Sequence, residues 1–197
     1  MAHTLTHLGV DIGAESGRLM AGHWDGSRMH LEEVHRFSNA AIPVAGSLRW
    51  DLLHLWEGVR TGLGKAGHAC KEVRSVGVDT WALDFVLLDE HEEWMGLPHC
   101  YRDIRTRGLV DEACLRVPRA EIFAESGLQF LEINTLYQLM AARRDTPSLL
   151  ERARKLLLIP DWLHWAMCGA TVCEFTNATT TQFLHPRTRT WSTALLE

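Results

Sequence analysis

The segment from Asp11 to Arg18 combines residue types that could bind a metal ion and a phosphate. It holds a carboxylate, two glycines, a hydroxyl and a guanidinium between two apolar stretches. A carboxylate at the end of a strand can bind Mg²⁺, which keeps several of its waters, and glycines allow backbone N–H groups to approach an anion. The glycine spacing fits neither the GxxxxGK[ST] pattern nor GxGxxG. A glycine-rich β-turn beside a solvated Asp11 is the alternative interpretation.

A second cluster of polar groups runs from Asp79 to Asp84, directly after a predicted strand. Loops at the carboxyl ends of parallel strands are the usual ligand-binding positions of α/β proteins. The indole of Trp81 could stack on the C–H face of a sugar, while Asp79 and Asp84 accept hydrogen bonds from its hydroxyls. Alternatively, Trp81 is a core aromatic residue and the two carboxylates cap turns.

Two later segments are also polar. Tyr101–Thr106 contains two guanidiniums and a carboxylate, and the pair Arg102 and Asp103 could bind the hydroxyls of a polyol. Alternatively, Asp103 caps the helix that follows. Glu174–Gln182 is dense in neutral hydrogen-bonding side chains, for which a buried structural network is favoured over direct contact with a ligand.

Composition narrows the class of protein. The chain has 197 residues, with 20 Lys and Arg against 25 Asp and Glu, and a net charge of −5. This charge argues against a nucleic-acid partner, and no apolar run approaches the ~18 residues that would suggest a membrane span. The five cysteines contain no CxxC pair, so neither a zinc site nor a disulfide framework is expected. Free thiols in a reducing cytoplasm are the simplest interpretation.

The elements that must position these clusters alternate between strands and helices. The first 38 residues predict three short strands in an antiparallel meander, with Asp25-Gly26 as a hairpin turn. Apolar residues at helical spacing follow Asp51, a plausible N-cap, and Val73–Val78 predicts a buried strand. Phe85–Leu88 predicts a further strand, and the chain from Arg105 to about Arg154 is mainly helical. These elements indicate an α/β protein.

In this order, the motifs resemble those of the FGGY carbohydrate kinase family, and within it the rhamnulokinase branch. The resemblance extends over essentially the whole chain in one register. The motifs that carry it are Asp11–Arg18, His35–Phe37, Trp50-Asp51, Asp79–Asp89, Gly96–Pro98, Tyr101–Thr106, Ser126–Phe130, Asn134–Leu139, Pro160-Asp161 and Thr176–Gln182.

The resemblance implies a fold and an activity. The fold would be ribonuclease H-like, of the actin/hexokinase ATPase type, with a mixed sheet flanked by helices. Residues 1–197 would form one domain similar to the N-terminal lobe of such a kinase. The family transfers the γ-phosphate of ATP to a sugar hydroxyl, in rhamnulokinases the 1-hydroxyl of L-rhamnulose. ATP with Mg²⁺ and a sugar are therefore the expected ligands, and a C-terminal lobe or a second copy of the chain is a possible partner at an exposed face.

The resemblance also implies roles for individual residues. Asp11 would belong to the Mg²⁺ environment. The residues expected at the ATP phosphates are Gly13, Ala14, Glu15, Ser16, Gly17 and Arg18. The residues expected at the sugar are Thr80, Trp81, Ala82, Asp84, Arg102 and Asp103.

This sequence departs from the family pattern at three points. Ala82 stands where rhamnulokinases commonly have Gly, and its methyl group could shift the preference to another ketose. Glu15 stands where Ser is common, and a carboxylate near a phosphate is unfavourable unless it faces metal or solvent. The family's Asp-centred catalytic-base segment is not found in these residues, so the 197 residues alone are expected to lack the base. A non-catalytic sugar-binding lobe and a kinase of another pentulose or polyol remain the alternatives.

Overall fold

A computed structural model describes residues 5–197, so the first four residues of the predicted 1–197 unit lie outside the described residues. The described part contains ten strands and eight α-helices. The strands are β1 (Leu5–Ile12), β2 (Ser16–Trp24), β3 (Met29–Ser38), β4 (Ile42–Val44), β5 (Ser47–Arg49), β6 (Val73–Thr80), β7 (Phe85–Leu88), β8 (Lys155–Leu158), β9 (Leu184–His185) and β10 (Thr190–Trp191). The helices are α1 (Leu52–Ala69), α2 (Leu109–Arg116), α3 (Arg119–Ser126), α4 (Thr135–Asp145), α5 (Pro147–Arg152), α6 (Ile159–Cys168), α7 (Phe175–Ala178) and α8 (Thr193–Leu196).

A mixed four-stranded sheet forms the centre of the fold, with the strand order β3-β2-β1-β6. β1, β2 and β3 form the predicted antiparallel meander, whereas β6 lies parallel to β1 after the crossover through α1. Along β1 each second residue is buried, and Leu8, Val10 and Ile12 face the core. α1 and α6 cover this face, because Leu55 and Val59 of α1 and Trp162 and Leu163 of α6 share the same buried cluster. The predicted mixed sheet flanked by helices is therefore confirmed.

The predicted helix after Asp51 is also confirmed. The side chain of Asp51 accepts a hydrogen bond from His54 N at 3.0 Å, which satisfies one of the free N–H groups at the start of α1. β4 and β5 form a short antiparallel pair, although Pro43 and Gly46 are residues typical of a loop. Strands of three residues carry too little periodicity to be recognised from the sequence.

The other face of the central sheet is open in the described chain. Gly9 of β1 and Gly77 of β6 lie opposite each other, and a Cβ added at either would have no atom within 4 Å. The predicted strand over Val73–Val78 is present as part of β6, but its predicted burial is wrong: β6 pairs with β1 on one side only, and its Val73 and Val76 are exposed. The core thus lies on one side of the sheet. The opposite side carries Gly9 and polar side chains such as His7 and Asp11 of β1.

Candidate functional site

The first two predicted clusters lie next to each other at one end of the central sheet. β1 and β6 run parallel in a register that places Asp11 opposite Asp79 and Ile12 opposite Thr80. The turn after Ile12 and the loop after Thr80 therefore leave the sheet at the same end, the carboxyl end of the parallel strands, where ligand sites of α/β proteins lie. The sequence does not show this proximity, because β2, β3, β4, β5 and α1 lie between the two strands in the chain.

Asp11 holds a cross-strand ion pair and keeps one oxygen free. Arg18 Nε donates to Asp11 Oδ2 at 2.8 Å, and both side chains are 44% exposed. Asp11 Oδ1 has no hydrogen-bond donor within residues 5–197, and the exposed Asp79 lies beside it. Magnesium is usually bound by one or two carboxylates together with waters and phosphate oxygens. The pair Asp11 and Asp79 is a suitable donor set, although no three acidic, histidine or cysteine side chains converge in the described residues.

The turn between β1 and β2 exposes two unpaired backbone donors. Gly13 N donates to Ser16 O at 2.9 Å and closes the turn. Asn39, which is buried, fixes it from outside: its side-chain amide donates to Gly13 O at 2.7 Å and its backbone N–H to Glu15 O at 2.9 Å. Within the described residues, the N–H groups of Ala14 and Glu15 have no acceptor. Adjacent free N–H groups of this kind can bind the oxygens of a phosphate.

Asp84 is the centre of the second cluster and is fully buried. Its Oδ2 accepts hydrogen bonds from Trp50 Nε1 at 2.6 Å, Trp81 Nε1 at 3.0 Å and Tyr101 N at 3.0 Å. Its Oδ1 accepts from Gln138 Nε2 at 2.7 Å. Burial raises the pKa of Asp84 to about 6, against the effect of these four N–H donors. The carboxylate is enclosed by protein groups, which it holds in place.

The donors to Asp84 form an aromatic layer. The ring centroids of Trp50 and Trp81 lie 4.2 Å apart, and those of Trp50 and Tyr101 6.5 Å apart. Trp50 is buried, whereas Trp81 is half-buried and presents part of its indole outward. The guanidinium of Arg102 lies 5.2 Å from the ring centre of Tyr101. The aromatic layer therefore also places Arg102, from the segment Tyr101–Thr106, next to the site.

The backbone after Trp81 is tied to α4. Leu83 has a φ of +81°, a left-handed conformation that costs energy for a side chain of this size. Its carbonyl accepts a hydrogen bond from Thr135 Oγ1 at 2.7 Å, at the start of α4. Thr80 Oγ1 donates to Trp81 O at 2.8 Å. The loop that carries Trp81 and Ala82 is therefore held by hydrogen bonds at both of its ends.

Asp103 is buried and acts on the local backbone. Its Oδ1 accepts from Arg105 N at 2.9 Å, so it caps the 3₁₀ turn Ile104–Thr106. Its Oδ2 accepts from Ser47 Oγ at 2.8 Å and Leu48 N at 2.6 Å, which attaches β5 to this turn. Burial opposes ionisation, but these hydrogen bonds together lower the pKa of Asp103 below its usual value. The capping alternative considered for Asp103 is the arrangement found, and Arg102 beside it is exposed.

The segment Glu174–Gln182 makes hydrogen bonds within the protein, but its first three residues are exposed. The buried network favoured from the sequence is found only at its end, at Thr181 and Gln182. Glu174 caps α7 by accepting hydrogen bonds from the backbone N–H groups of Thr176 and Asn177. Gln182 is fully buried, and its Oε1 accepts from Asn134 Nδ2 at 3.0 Å.

Sequence reasoning missed the partners that hold these groups. Trp50 and Gln138 bind Asp84 from 34 and 54 positions away in the chain. No local spacing of residues indicates such contacts. Asn39 stands outside the motifs, two positions after Phe37. Trp50 and Gln138 stand within two of the motifs that carry the resemblance, so the motifs marked these residues but not their contacts with Asp84.

Comparison with known proteins places this geometry in a family. The N-terminal domain of the FGGY family of carbohydrate kinases matches residues 6–197, so the chain belongs to this family. The chain is 40% identical over 191 residues to a rhamnulokinase of Oceanobacillus iheyensis, covering 97% of the chain and 41% of the relative. It is 41% identical to a rhamnulokinase of Halalkalibacterium halodurans, covering 96% and 40% respectively. The chain therefore spans about two fifths of the length of these relatives.

Solved structures show the same fold. A gluconate kinase from Lactobacillus acidophilus superposes with a TM-score of 0.87 at 17% identity, covering 98% of this chain and 39% of that one. A glycerol kinase from Plasmodium falciparum with ADP superposes with a TM-score of 0.76 at 16% identity, covering 98% and 40%. The predicted actin/hexokinase-type fold is thereby confirmed. No helix in residues 5–197 is long and apolar enough to cross a bilayer.

Proposed function

We propose that this chain is the N-terminal lobe of an ATP-dependent kinase that converts L-rhamnulose to L-rhamnulose 1-phosphate. The observation that carries the proposal is the parallel register of β1 and β6, which sets the turn after Asp11 beside the loop of Trp81. A phosphate donor and a hydroxyl acceptor must meet at short distance for transfer. The carboxyl end of β1 and β6 offers groups that could bind each of them. The rhamnulokinase relatives support the choice of sugar.

The phosphate side of the proposed site is built from backbone N–H groups and three charged side chains. The free N–H groups of Ala14 and Glu15, with Gly13, Ser16 and Gly17 forming the turn, would bind ATP phosphate oxygens. Arg18 would hold Asp11 in position and add positive charge. Asp11, with Asp79 beside it, would hold Mg²⁺ through waters, and the ion would neutralise phosphate charge. The exposed position of Glu15 would let its carboxylate stay in solvent.

The sugar side of the proposed site is presented by the aromatic layer. Trp81 would stack on the sugar, with Thr80, Ala82 and Arg102 around it. Asp84 and Asp103 would act indirectly, because both carboxylates are occupied by protein donors. Asp84 would orient Trp81, and Asp103 would anchor the turn that carries Arg102. These two residues are thus positioning residues in the proposal.

Residues 1–197 would fold as one domain, and catalysis would require a second lobe. The relatives are more than twice as long as this chain, and phosphoryl transfer needs a group that accepts the hydroxyl proton. The open sheet face around Gly9 and Gly77 and the edge strand β6 offer a surface for such a lobe. A chimera with the C-terminal part of the Oceanobacillus iheyensis rhamnulokinase would supply it.

Calorimetric titration of the chain tests the proposal. L-Rhamnulose, L-xylulose, D-ribulose and glycerol would each be titrated with and without Mg-ATP. We expect saturable binding of L-rhamnulose, and phosphorylation by the chimera alone. A preference for another ketose would instead assign the substrate to that sugar, which is the outcome that Ala82 would explain. Sugar binding by the chain with an inactive chimera would favour a non-catalytic sugar-binding lobe.

Asp11→Asn separates the two halves of the site. It should abolish the Mg-dependent effect of ATP and leave the affinity for the sugar unchanged, because Asp11 would contact the metal side only. Asp25→Asn, a hairpin carboxylate at the far end of the sheet, is the matched control. Loss of sugar binding as well as the nucleotide effect in Asp11→Asn would contradict this division of roles.

A further inference from the structure

A cavity of about 380 Å³ that opens to the surface lies next to Gln138, which binds Asp84 below the aromatic layer. It is lined by the β4–β5 pair, the segment 95–99, β7, α4 and the start of α5. Most of its wall is apolar and includes Phe85, Leu87, Met95 and Leu149. Thr80, Trp81, Ala82 and Arg102 do not line it, so the cavity is separate from the surface proposed for the sugar.

One part of the cavity wall is cationic. Arg49 Nη1 donates to Leu97 O at 2.7 Å and lies 3.2 Å from His99 Nδ1. Arg105 Nη2 donates to Gln138 Oε1 at 3.1 Å. Within residues 5–197, neither guanidinium has a carboxylate at ion-pair distance. Two partly buried guanidiniums therefore face the cavity with neutral partners only.

The nearest carboxylates are engaged elsewhere. Asp103 accepts three hydrogen bonds from Ser47, Leu48 and the Arg105 backbone. Asp145 binds the guanidinium of Arg144 through both oxygens. Burial lowers the pKa of Arg105 to about 10, and burial with the two neighbouring guanidiniums lowers the pKa of His99 to about 4. His99 is therefore neutral at pH 7, and because its Nδ1 faces Arg49, its Nε2 carries the proton and can donate.

We propose that this cavity binds a small organic carboxylate with an apolar body. Guanidinium groups bind carboxylates with matched, often bidentate geometry and are weakly hydrated. The apolar walls favour a ligand with a hydrocarbon part over a strongly hydrated inorganic anion. An apolar cavity of about 150 Å³ holds one benzene ring, so 380 Å³ has room for an aromatic ring with its carboxylate.

Gln138 connects the cavity to the aromatic layer. Its Oε1 accepts from Arg105 and its Nε2 donates to Asp84 at 2.7 Å, and Asp84 in turn holds Trp50 and Trp81. An anion that draws Arg105 toward the cavity changes the position of Gln138 and thereby the aromatic layer. The binding site does not depend on the proposed kinase activity; only an effect on sugar affinity rests on it.

Calorimetry with three probes tests the cavity. Benzoate carries both required features, benzyl alcohol lacks the charge, and inorganic phosphate lacks the apolar body. We expect benzoate to bind saturably and at least tenfold more tightly than either of the other two. Equal binding of benzyl alcohol would overturn the anion requirement, and phosphate binding as tightly as benzoate would overturn the requirement for an apolar body. Absence of benzoate binding would overturn the site.

Two variants and a control locate the binding. Arg49→Gln and Arg105→Gln should each weaken benzoate binding roughly tenfold or more, because each removes a charge-assisted hydrogen-bond donor. Arg60→Gln, at an exposed position of α1, should leave the affinity unchanged. Equal affinity in all three variants would place benzoate elsewhere.

A measurement on the unmodified chain avoids any effect of mutation on folding. In methyl spectra of the methionines, benzoate should shift the signal of Met95, which lines the cavity, through the ring current of its aromatic ring. The signal of Met29, exposed on β3, should not move. A shift at Met29 without one at Met95 would contradict the proposed location.

Discussion

At the scale of single residues, burial separates carboxylates that look alike in the sequence. Asp11 is 44% exposed and keeps an oxygen free of protein donors, whereas Asp84 is fully buried and accepts four hydrogen bonds. An exposed carboxylate with a free oxygen can bind a hydrated cation. A carboxylate with no free lone pair toward solvent can only position its donors.

Asp84 should make stability depend on pH in a defined direction. Its pKa is about 6 in the folded chain against 3.8 for a free side chain, so the folded state binds the proton more tightly. The stabilisation of the fold by protonated Asp84 is therefore fully present below about pH 4 and is lost as the pH rises through 6. The free energy of unfolding should fall by about 3 kcal/mol from this group over that range. Urea unfolding of the wild type and Asp84→Asn would measure this as a free-energy difference that grows as the pH falls from 7 to 4.

The difference between the two proteins isolates Asp84, because Asn does not titrate. Other carboxylates, such as Asp103, have a lowered pKa and contribute the opposite slope to both proteins. A difference that stays constant from pH 7 to 4 would show that Asp84 does not titrate in this range.

Trp81 should contribute to sugar affinity through its ring. Trp81→Ala should weaken binding of the sugar by ~1–2 kcal/mol, because stacking against a C–H face is lost. Trp81→Phe should retain most of the affinity, since it keeps an aromatic ring but loses the N–H that donates to Asp84. Trp24→Ala, at the far end of β2, is the control. Calorimetry that finds unchanged affinity in Trp81→Ala would remove Trp81 from the site.

At the scale of elements, the ring of Phe37 determines how closely α1 packs against the start of β2, next to the turn on the phosphate side. Phe37 of β3 lies where a Cβ at Gly17 or Gly58 would stand, and the added atom at Gly58 would be 2.6 Å from the ring. Gly17 is the second residue of β2, directly after the turn, and Gly58 lies on the buried side of α1. The absence of two side chains thus allows β2, β3 and α1 to pack around one ring.

Alanine substitutions in α1 should have opposite signs at two glycines. Gly58→Ala should destabilise the chain by about 1–3 kcal/mol, because the methyl group collides with Phe37. Gly64→Ala should stabilise it by about 0.5–1 kcal/mol, because Gly64 is exposed, has open space around it, and alanine is the better helix former. Thermal or urea unfolding measures both. Destabilisation of equal size at both positions would contradict the packing argument.

At the scale of the whole molecule, the described chain leaves one face of its central sheet open, together with the edge strand β6. Exposed edge strands present unpaired N–H and C=O groups that proteins generally cover. β6 carries exposed Val73 and Val76 on this edge, beside the open position of Gly77. The chain spans about two fifths of its relatives, which supports the proposal that a second lobe covers this surface.

Hydrogen exchange should report the covering of β6. We expect the amides of Val73–Gly77 to exchange more slowly in the chimera with a C-terminal lobe than in the 197-residue chain. Amides of β1, which is paired on both sides, should exchange at the same rate in both proteins. Equal exchange in β6 would show that the second lobe leaves this edge open.

Local chemistry along the chain determined the elements and the motifs. The alternation in β1, the apolar stripe and Asp51 cap of α1, and the acid–glycine turn depend on neighbours a few positions apart, so their physical signals are readable in sequence. The resemblance carried by the motifs likewise predicted the family that residues 6–197 match.

Tertiary structure alone decided which groups meet. Asp11 lies beside Asp79 only because the crossover through α1 brings β6 next to β1. The carboxylate of Asp84 is enclosed by hydrogen bonds from Trp50 and Gln138, which are 34 and 54 positions away in the chain. The cavity next to Gln138 is formed by segments that extend from β4 to α5. Burial and long-range hydrogen bonding are properties of the packed chain. They determine the pKa of a carboxylate and its access to a ligand more strongly than its residue type does.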